Sequence, residues 1–371
     1  MNNHKKKKSN AWLLEHAGIP IRYNLLRLYN DPSAESLAAA LLAHPEVQYW
    51  LDQLDLRQQQ GRASDIHGSH DYRLENILGK LSQLGLRQGI LPLDERMAVY
   101  RQRLEDQVAA PREEKLSFGK MYSYYDGELI PAMCLALAGY FDPPVLQVAE
   151  NRLDRLAAFA AQDRFDIYVD GSRYPGVKKE WQRWLIDPVL YADGQISLPT
   201  IHDCFLFSAV QPLWRGTPHE AQLSSVVDWL FNPRCQSIPL RYGYFYAPGG
   251  SYTAKAVCWK LPFPSPAEAG SRLESAFLLA VYLLSHFNAS YRHPPFSTAL
   301  QVLESFALGE GQYRFPKEYL QEKKDSYWVF GCHMGMGELR SKAESLIIES
   351  TYWMERIRFN LGSAVSANTP K

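Results

Sequence analysis

Two side chains that can exchange protons, His202 and Asp203, lie at the start of an otherwise apolar segment, residues 199–213. A buried carboxyl group needs a partner, and apolar surroundings favour its protonated form. Asp203 could therefore donate a proton to a substrate, with His202 beside it. The alternative is structural, because an aspartate in the first turn of a helix also caps exposed backbone amides. We predict an acid centre here and keep the cap as the alternative.

Further acid–base candidates lie where turns are expected. His70 and Asp71 end the cluster His67-Gly68-Ser69-His70-Asp71, which could move protons near neutral pH or cap the helix that follows. Asp126 follows two tyrosines and precedes a glycine, and Asp-Gly is also an ordinary turn dipeptide. We predict catalytic roles for Asp71 and Asp126 and a substrate-binding role for His70, with caps and turns as the alternatives.

Aromatic residues are concentrated in the long segments between the expected helices, as in residues 122–127 and 242–246. Aromatic faces stabilise carbocations by cation–π attraction, so an acid beside such faces suits terpenoid chemistry. Long ordered loops are also frequently functional. The side chains predicted to line a substrate cavity are Tyr122, Tyr125, Tyr244 and Trp259.

A basic segment alternates with tryptophans: Lys178, Lys179 and Arg183 surround Trp181 and Trp184. This pattern fits the binding of an acidic ligand. It equally fits an exposed amphipathic segment whose long basic side chains lie over aromatic rings.

Composition limits the classes of partner. The 371 residues carry 40 basic and 40 acidic side chains, so no net field attracts nucleic acid, and we predict no nucleic-acid partner. The longest apolar runs are shorter than the ~20 residues of a spanning helix, and we predict no transmembrane segment. Five scattered cysteines, with no signal-peptide pattern, indicate reduced thiols and a cytoplasmic protein.

Hydrophobic spacing predicts four helix pairs, each with an apolar inner helix and an amphipathic outer one. Proline-containing breaks such as Asp142-Pro143-Pro144 separate the two members of each pair. Inner and outer members are expected at residues 74–86 with 94–108, 128–141 with 145–161, 199–213 with 220–231, and 272–287 with 296–307.

Other elements complete the expected fold. Residues 237–246 and 251–260 alternate in polarity around a Pro-Gly-Gly turn and predict a β-hairpin. A last helix is expected over residues 338–359. We predict a disordered basic tail at residues 1–10, a single all-α domain at 11–361 with the hairpin inserted, and a flexible tail at 362–371.

The alternation of inner and outer helices over residues 71–359, with glycine and aromatic residues after outer helices as in Gly309-Glu310-Gly311-Gln312-Tyr313, resembles the α/α-toroid superfamily. Within it, the chain is similar to the prenyltransferase and squalene-cyclase repeat proteins. The resemblance implies helix pairs closed into a ring and terpenoid-cyclase-like activity. The Asp-x-Asp-Asp and Asp-Asp-x-x-Asp signatures of those enzymes are absent from this sequence.

Cys332-His333 looks like the Cys-His-Gly element of the lanthipeptide cyclases, which are also α/α toroids with a zinc bound by two cysteines and one histidine. That resemblance implies Cys258 as the second thiolate, although Met334 replaces the glycine. The alternative is a glycine-rich loop before the last helix, and we predict no metal at this position.

Three functional hypotheses follow from the sequence. The first is a terpenoid-cyclase-like enzyme that uses acid-initiated chemistry on a hydrophobic small molecule and needs no cofactor. The second is a non-catalytic helical toroid that binds a protein or peptide through tyrosines and tryptophans. The third is a zinc-dependent, lanthipeptide-cyclase-like enzyme. Oligomeric state is left open.

Overall fold

The computed structural model describes residues 3–62, 65–110, 125–191, 194–238, 242–247, 251–256, 259, 261–263 and 275–367. The chain is mostly helical, which confirms the predicted class. It divides into two compact units. Unit 1 comprises Met1–Ala98, Leu137–Tyr140 and Pro262–Lys371, and unit 2 comprises Val99–Ala136 and Phe141–Leu261.

The first helices belong to unit 1. Pro20, Pro32 and Pro45 each begin or nearly begin a helical segment, because proline already has the backbone angle of a first turn. The lysine run expected in a tail lies within the first helix. The bounds are α1 Asn3–His16, α2 Ile19–Leu28, α3 Ala38–Leu42, α4 Pro45–Gln59 and α5 Leu74–Leu84.

Helix α5, predicted as an apolar inner helix, is buried almost all round. Its polar residues Glu75, Asn76 and Lys80 are buried with its leucines. Arg73 occupies its N-cap without a side-chain hydrogen bond, so neither His70 nor Asp71 caps it. The helix ends at Gly85, whose φ of +113° suits glycine, and a β-carbon there would lie 2.9 Å from the ring of Tyr23.

The predicted helix pairs are present with shifted bounds. The later helices are α6 Leu91–Ala109, α7 Ile130–Leu137, α8 Pro143–Ala160, α9 Ile201–Trp214, α10 Pro218–Phe231, α11 Pro233–Gln236, α12 Ser275–Leu284, α13 Pro294–Glu304 and α14 Ser345–Ala367. In unit 2, α8 packs against α9 and α10. Helix α14 starts seven residues later than expected, since residues 338–344 are not helical, and it continues into the segment predicted as a tail.

The β-hairpin is confirmed and belongs to a larger sheet in unit 2. Strands β3 (Tyr242–Ala247) and β4 (Ser251–Ala256) pair antiparallel, from Tyr242 with Ala256 to Ala247 with Ser251. Two short strands extend the sheet in the order β1-β2-β3-β4, with β2 parallel to β3. These are β1 Tyr168–Val169 and β2 Leu185–Ile186, and unit 1 has its own pair, β5 Ala307–Gly309 with β6 Gln312–Tyr313.

Among the described residues, no helix has both the length and the apolar character needed to cross a membrane.

Candidate functional site

Asp203 lies in the first turn of α9 and is fully buried in unit 2. Its Oδ1 accepts a hydrogen bond from Arg152 Nε at 2.7 Å, and its Oδ2 accepts one from Arg152 Nη2 at 2.9 Å. Oδ2 also accepts from the backbone N and Oγ1 of Thr200, both at 2.8 Å. Thr200 and Asp203 together form a capping box, the alternative that the sequence left open.

Arg152 is fully buried on α8, and its remaining donors reach the carbonyl groups of Ile196 and Leu198. Both oxygens of Asp203 are therefore occupied by a forked, charge-assisted pair within a closed network. A carboxylate held in this way stabilises the start of α9. His202 is buried one residue earlier on the same helix.

Asp71 and His70 meet Asp325 in unit 1. Asp71 accepts hydrogen bonds from Tyr49 Oη at 2.7 Å and from the Asp325 backbone N at 2.8 Å. His70 Nδ1 lies 3.2 Å from Asp325 Oδ1, and this contact leads the lowering of the pKa of Asp325. Asp325 has a φ of +52°. His70 and Asp71, which precede α5, thus stabilise the tight turn at Asp325.

Four predicted residues cannot be placed in full. Tyr122 and Cys258 lie outside the described residues. Tyr125 and Asp126 begin a π-helical turn, Tyr125–Leu129, and their side chains are outside the described part.

Tyr244 lies on β3 in unit 2, half-buried, and stacks on Trp181 with ring centroids 4.6 Å apart and planes at 11°. The basic segment contributes cations to these rings, since Lys178 Nζ lies 4.5 Å from the Trp181 centroid and Arg183 lies over Trp184. Trp259 follows β4, and its carbonyl accepts a hydrogen bond from Gln236.

His333 is buried in unit 1, and both ring nitrogens have neighbours. Nε2 lies 3.1 Å from the Ser326 carbonyl, and Nδ1 lies 3.6 Å from Glu322 Oε2. Cys332 is partly exposed beside it. His333 thus contacts Glu322, which belongs to a group of charged side chains in unit 1.

That group lines a cavity of about 440 Å³, which we call the glutamate cleft. Four carboxylates and one guanidinium surround it, with a histidine, a leucine and a proline. The cleft is formed by the start of α4, the loop from β6 to α14, and α14 itself. Its lining residues are His44, Pro45, Glu46, Glu322, Gly335, Gly337, Glu338, Leu339, Arg340 and Glu349.

Glu349 is fully buried in the second turn of α14 and reaches the cleft wall. Its Oε1 accepts hydrogen bonds from the backbone N of Met336 at 2.6 Å and of Glu338 at 3.4 Å. Arg340 Nη2 lies 2.7 Å from Oε2, an ion pair that lacks the alignment of a hydrogen bond. Burial raises the pKa of Glu349 to about 7, against the opposing effect of Arg340. Near neutral pH the carboxyl group can therefore give up or take a proton.

His44 is the N-cap residue of α4, and its pKa is shifted in the direction opposite to that of Glu349. Burial lowers its pKa, and Glu46 only partly opposes that effect. Its Nδ1 is buried and has no hydrogen-bond partner among the described residues. The imidazole is thus neutral at pH 7 and offers an unused polar atom at the cleft.

Glu322 joins the cleft to a buried cation. Lys80 Nζ, on α5, lies 2.5 Å from Glu322 Oε1 and donates to the carbonyl groups of His333 and Gly335. Burial raises the pKa of Glu322, but Lys80 and His333 outweigh it and hold the pKa below its usual value. Glu338 differs, since burial raises its pKa while its Oε1 accepts from the Gly18 backbone N. The cleft therefore contains ionised and protonatable carboxyl groups together.

Two glycines permit this arrangement. A β-carbon at Gly335 would lie 2.6 Å from Glu322 Oε1, and one at Gly337 would lie 2.7 Å from His44 Cε1. Gly337 also has a φ of +83°, which favours glycine. The segment Gly335-Met336-Gly337 thus lets the side chains of Glu322 and His44 pack directly against its backbone.

None of the described residues predicted as sites lines this cleft. A signal was nevertheless present, since Glu349 interrupts the apolar run of α14 just as Asp203 interrupts that of α9. The glycine-rich loop was recognised, but its role in bringing α4 and α14 together depends on the tertiary fold.

Comparison with protein families, with curated proteins and with solved structures finds no match for this chain.

Proposed function

We propose that the chain is an enzyme that performs acid-initiated chemistry on a small molecule in the glutamate cleft. Glu349 is the general acid and His44 the general base. The observation that carries the proposal is their pairing on one cavity. Burial raises the pKa of Glu349 to about 7, so that it can hold and donate a proton near neutral pH, and lowers that of His44, so that its imidazole is neutral and can accept one.

The class of chemistry is the one expected from the sequence, but the proposed acid is Glu349 instead of Asp203. Asp203 is left out because Arg152 and Thr200 occupy both its oxygens. We also propose a hydrophobic substrate, such as an isoprenoid, which Pro45 and Leu339 in the cleft wall support. Toroidal closure is likewise a proposal, supported by the burial of the inner helices α7 and α9.

The test begins with the two titrations, which need no substrate. NMR of the purified protein should show the His44 imidazole titrating below 6.5 and the Glu349 carboxyl group near 7. Ordinary values for both groups would remove the proposed acid–base pair.

Turnover is then measured on a panel of isoprenoid and other small, acid-labile substrates. Glu349→Gln and His44→Phe should each reduce turnover about 100-fold or more, the usual contribution of a general acid or base. Glu150→Gln, on the exposed face of α8, is the matched control and should leave turnover unchanged. Full activity in both cleft variants would contradict the proposal.

A second candidate function is binding of a protein or peptide partner through unit 2. It is favoured by the half-buried stack of Trp181 on Tyr244, because such rings anchor interfaces. Co-purification from a lysate, compared between the native chain and Trp181→Ala, would test it with mass spectrometry of bound proteins. Loss of a specific stoichiometric partner in the variant would support this function, and identical profiles would count against it.

The zinc-dependent alternative stays a prediction, because Cys258 lies outside the described residues. Elemental analysis of the purified protein decides it. Less than stoichiometric zinc after purification without chelators would remove this alternative.

A further inference from the structure

A groove of about 730 Å³ lies in unit 2, along one face of α8. One of its walls is a row of polar side chains, Gln147, Asn151 and Arg155, which are four residues apart and therefore lie on the same side of the helix. Gln162, just beyond α8, also lines it. We call this cavity the amide groove. All of its lining residues belong to unit 2, so it shares none with the glutamate cleft of unit 1.

The opposite wall is the loop that precedes α9, and hydrogen bonds hold it in place. The backbone N of Ser197 donates to the Leu190 carbonyl at 2.8 Å, which closes the loop on itself. Arg155 Nη1 joins the two walls, because it donates to Ser197 Oγ at 3.2 Å and to the Gln195 carbonyl at 3.4 Å. The width of the groove is therefore set by contacts within the chain.

Arg164 contributes a second guanidinium group to the lining, and its position is also fixed. Its Nε donates to the Asp166 carbonyl at 3.0 Å, and its Nη2 donates to Asp187 Oδ2 at 2.5 Å. The Trp229 indole donates to the Arg164 carbonyl at 3.3 Å. Within the described part of the chain, Arg164 Nη1 has no hydrogen-bond acceptor, so this N–H group can donate to a ligand.

The charges at the amide groove are balanced. Asp187 forms an ion pair with Arg164. Glu128, a buried carboxylate, lines the same groove as Arg155. Two guanidinium groups are thus matched by two carboxylates, and a site without net charge attracts neither anions nor cations. This balance favours an uncharged, polar ligand.

The carboxamides of Gln147 and Asn151 point to the same kind of ligand. Both are exposed, and neither has a hydrogen-bond partner among the described residues. A carboxamide both donates and accepts, as a hydroxyl group does, whereas a guanidinium group only donates and a carboxylate only accepts. The acidic side chains of Glu150 and Asp154 are exposed on the same helix but do not line the groove. The groove-facing positions of α8 therefore suit hydroxyl groups.

We propose that the amide groove binds a neutral saccharide. Each hydroxyl group of a sugar ring donates and accepts, and planar amide, guanidinium and carboxylate groups can bridge two neighbouring hydroxyl groups. The volume of the groove lies within the range of small-molecule sites. Val108 and Val189 add apolar surface for the C–H groups of the ring.

The test is calorimetric titration of the full chain with glucose, galactose, mannose, maltose, cellobiose and lactose, with glucuronate and glutamate as charged references. Saturable binding is expected for at least one neutral sugar and for neither reference. The double variant Gln147→Leu/Asn151→Leu should weaken it roughly thirtyfold, the usual effect of losing two neutral hydrogen bonds. Glu150→Leu places a leucine on the same helix outside the groove, and this matched control should bind like the native chain.

Two further measurements keep the outcome clear. Thermal melts of the variants should match that of the native chain, because the substituted side chains are exposed. Glu349→Gln should bind the sugar normally, so this proposal and the proposed acid–base function can fail separately. Binding of none of the neutral sugars, binding of the charged references alone, or equal binding by the double variant would overturn the saccharide site.

Discussion

At the scale of single residues, the structure separates two buried carboxylates that look alike in the sequence. Asp203 and Glu349 both interrupt apolar helices and both lie fully buried. Asp203 has a forked guanidinium partner on both oxygens. Glu349 instead has backbone amides on one oxygen and an imperfectly aligned arginine on the other. The first environment favours a permanent ion pair, and the second permits proton exchange.

Glu349 should make stability depend on pH. Its folded-state pKa of about 7 lies above the ordinary 4.5, so the folded chain holds this proton more tightly than the unfolded chain. The free energy of unfolding should therefore fall as pH rises from about 4.5 to about 7, by roughly 3 kcal/mol from this group. Urea unfolding across this range measures the loss.

Glu349→Gln should lack this part of the pH dependence, since the amide does not ionise. Glu344→Gln, at an exposed position just before α14, is the control and should follow the native curve. Parallel curves for the native chain and Glu349→Gln would show that the carboxyl group titrates normally.

Asp203 should matter for stability. Asp203→Asn leaves Arg152 charged and buried, which should lower the free energy of unfolding by about 3–5 kcal/mol. The double variant Arg152→Met/Asp203→Leu should be less destabilised, because it removes the unpaired charge. Denaturant unfolding measures both, with Asp154→Asn on the exposed face of α8 as the control. A loss below about 1 kcal/mol in Asp203→Asn would contradict the structural role.

At the scale of elements, helix positions followed from the sequence because apolar spacing and proline starts are local signals. The α5 and α10 regions were predicted close to their observed bounds, and the hairpin of β3 and β4 was predicted correctly but with longer strands. The two-residue strands β1 and β2 were not, since they are too short for alternation to be visible. The late start of α14 was not predicted either, because the loop before it depends on contacts of Glu349 with Met336 and Arg340.

The candidate site was predicted poorly for a related reason. The residues predicted to act together are neighbours along the chain, such as His202 with Asp203 and Cys332 with His333. The glutamate cleft instead joins residues about 300 positions apart, as His44 and Glu349 show. The glycine-rich segment indicated a place where other side chains could approach the backbone closely. Which side chains these are depends on the tertiary fold.

Helix α5 offers a test of its close packing. A β-carbon at Gly79 would meet the indole ring of Trp328, with Cε3 2.5 Å away. Gly79→Ala should gain about 1 kcal/mol of helix propensity but lose more to overpacking, for a net loss of roughly 1–2 kcal/mol. Gly362→Ala in α14 meets no atom within 4 Å and is the control, which should be neutral or stabilising. Chemical denaturation compares them, and a stabilised Gly79→Ala would contradict this packing.

At the scale of the whole molecule, unit 1 is assembled from distant parts of the chain. Lys80 of α5 is buried against Glu322 and the carbonyl groups of residues 333 and 335. Asn76 of the same helix accepts from the Trp328 backbone N. The Lys80 ammonium group and Asn76 Oδ1 therefore lack these partners until the last part of the chain is in place.

A shortened chain tests this dependence. A chain ending at residue 316 should lose the cooperative melting of unit 1, because Lys80 would lose its acceptors and Asn76 Oδ1 would lose its donor. Circular dichroism and limited proteolysis within residues 3–98 measure this. A chain ending at residue 362 keeps every one of these contacts and should melt like the full chain. Equal melting of both shortened chains would show that the early helices fold unaided.

The division of unit 1 also has a consequence during synthesis on the ribosome. Residues 99–261 are translated between its two main parts. At ~5–20 residues per second, the early helices wait roughly ten to thirty seconds for their partners. During that time, the apolar surface of α5 and the charge of Lys80 are both unprotected in the nascent chain. We therefore expect the N-terminal segment to be the part of this protein on which chaperones act.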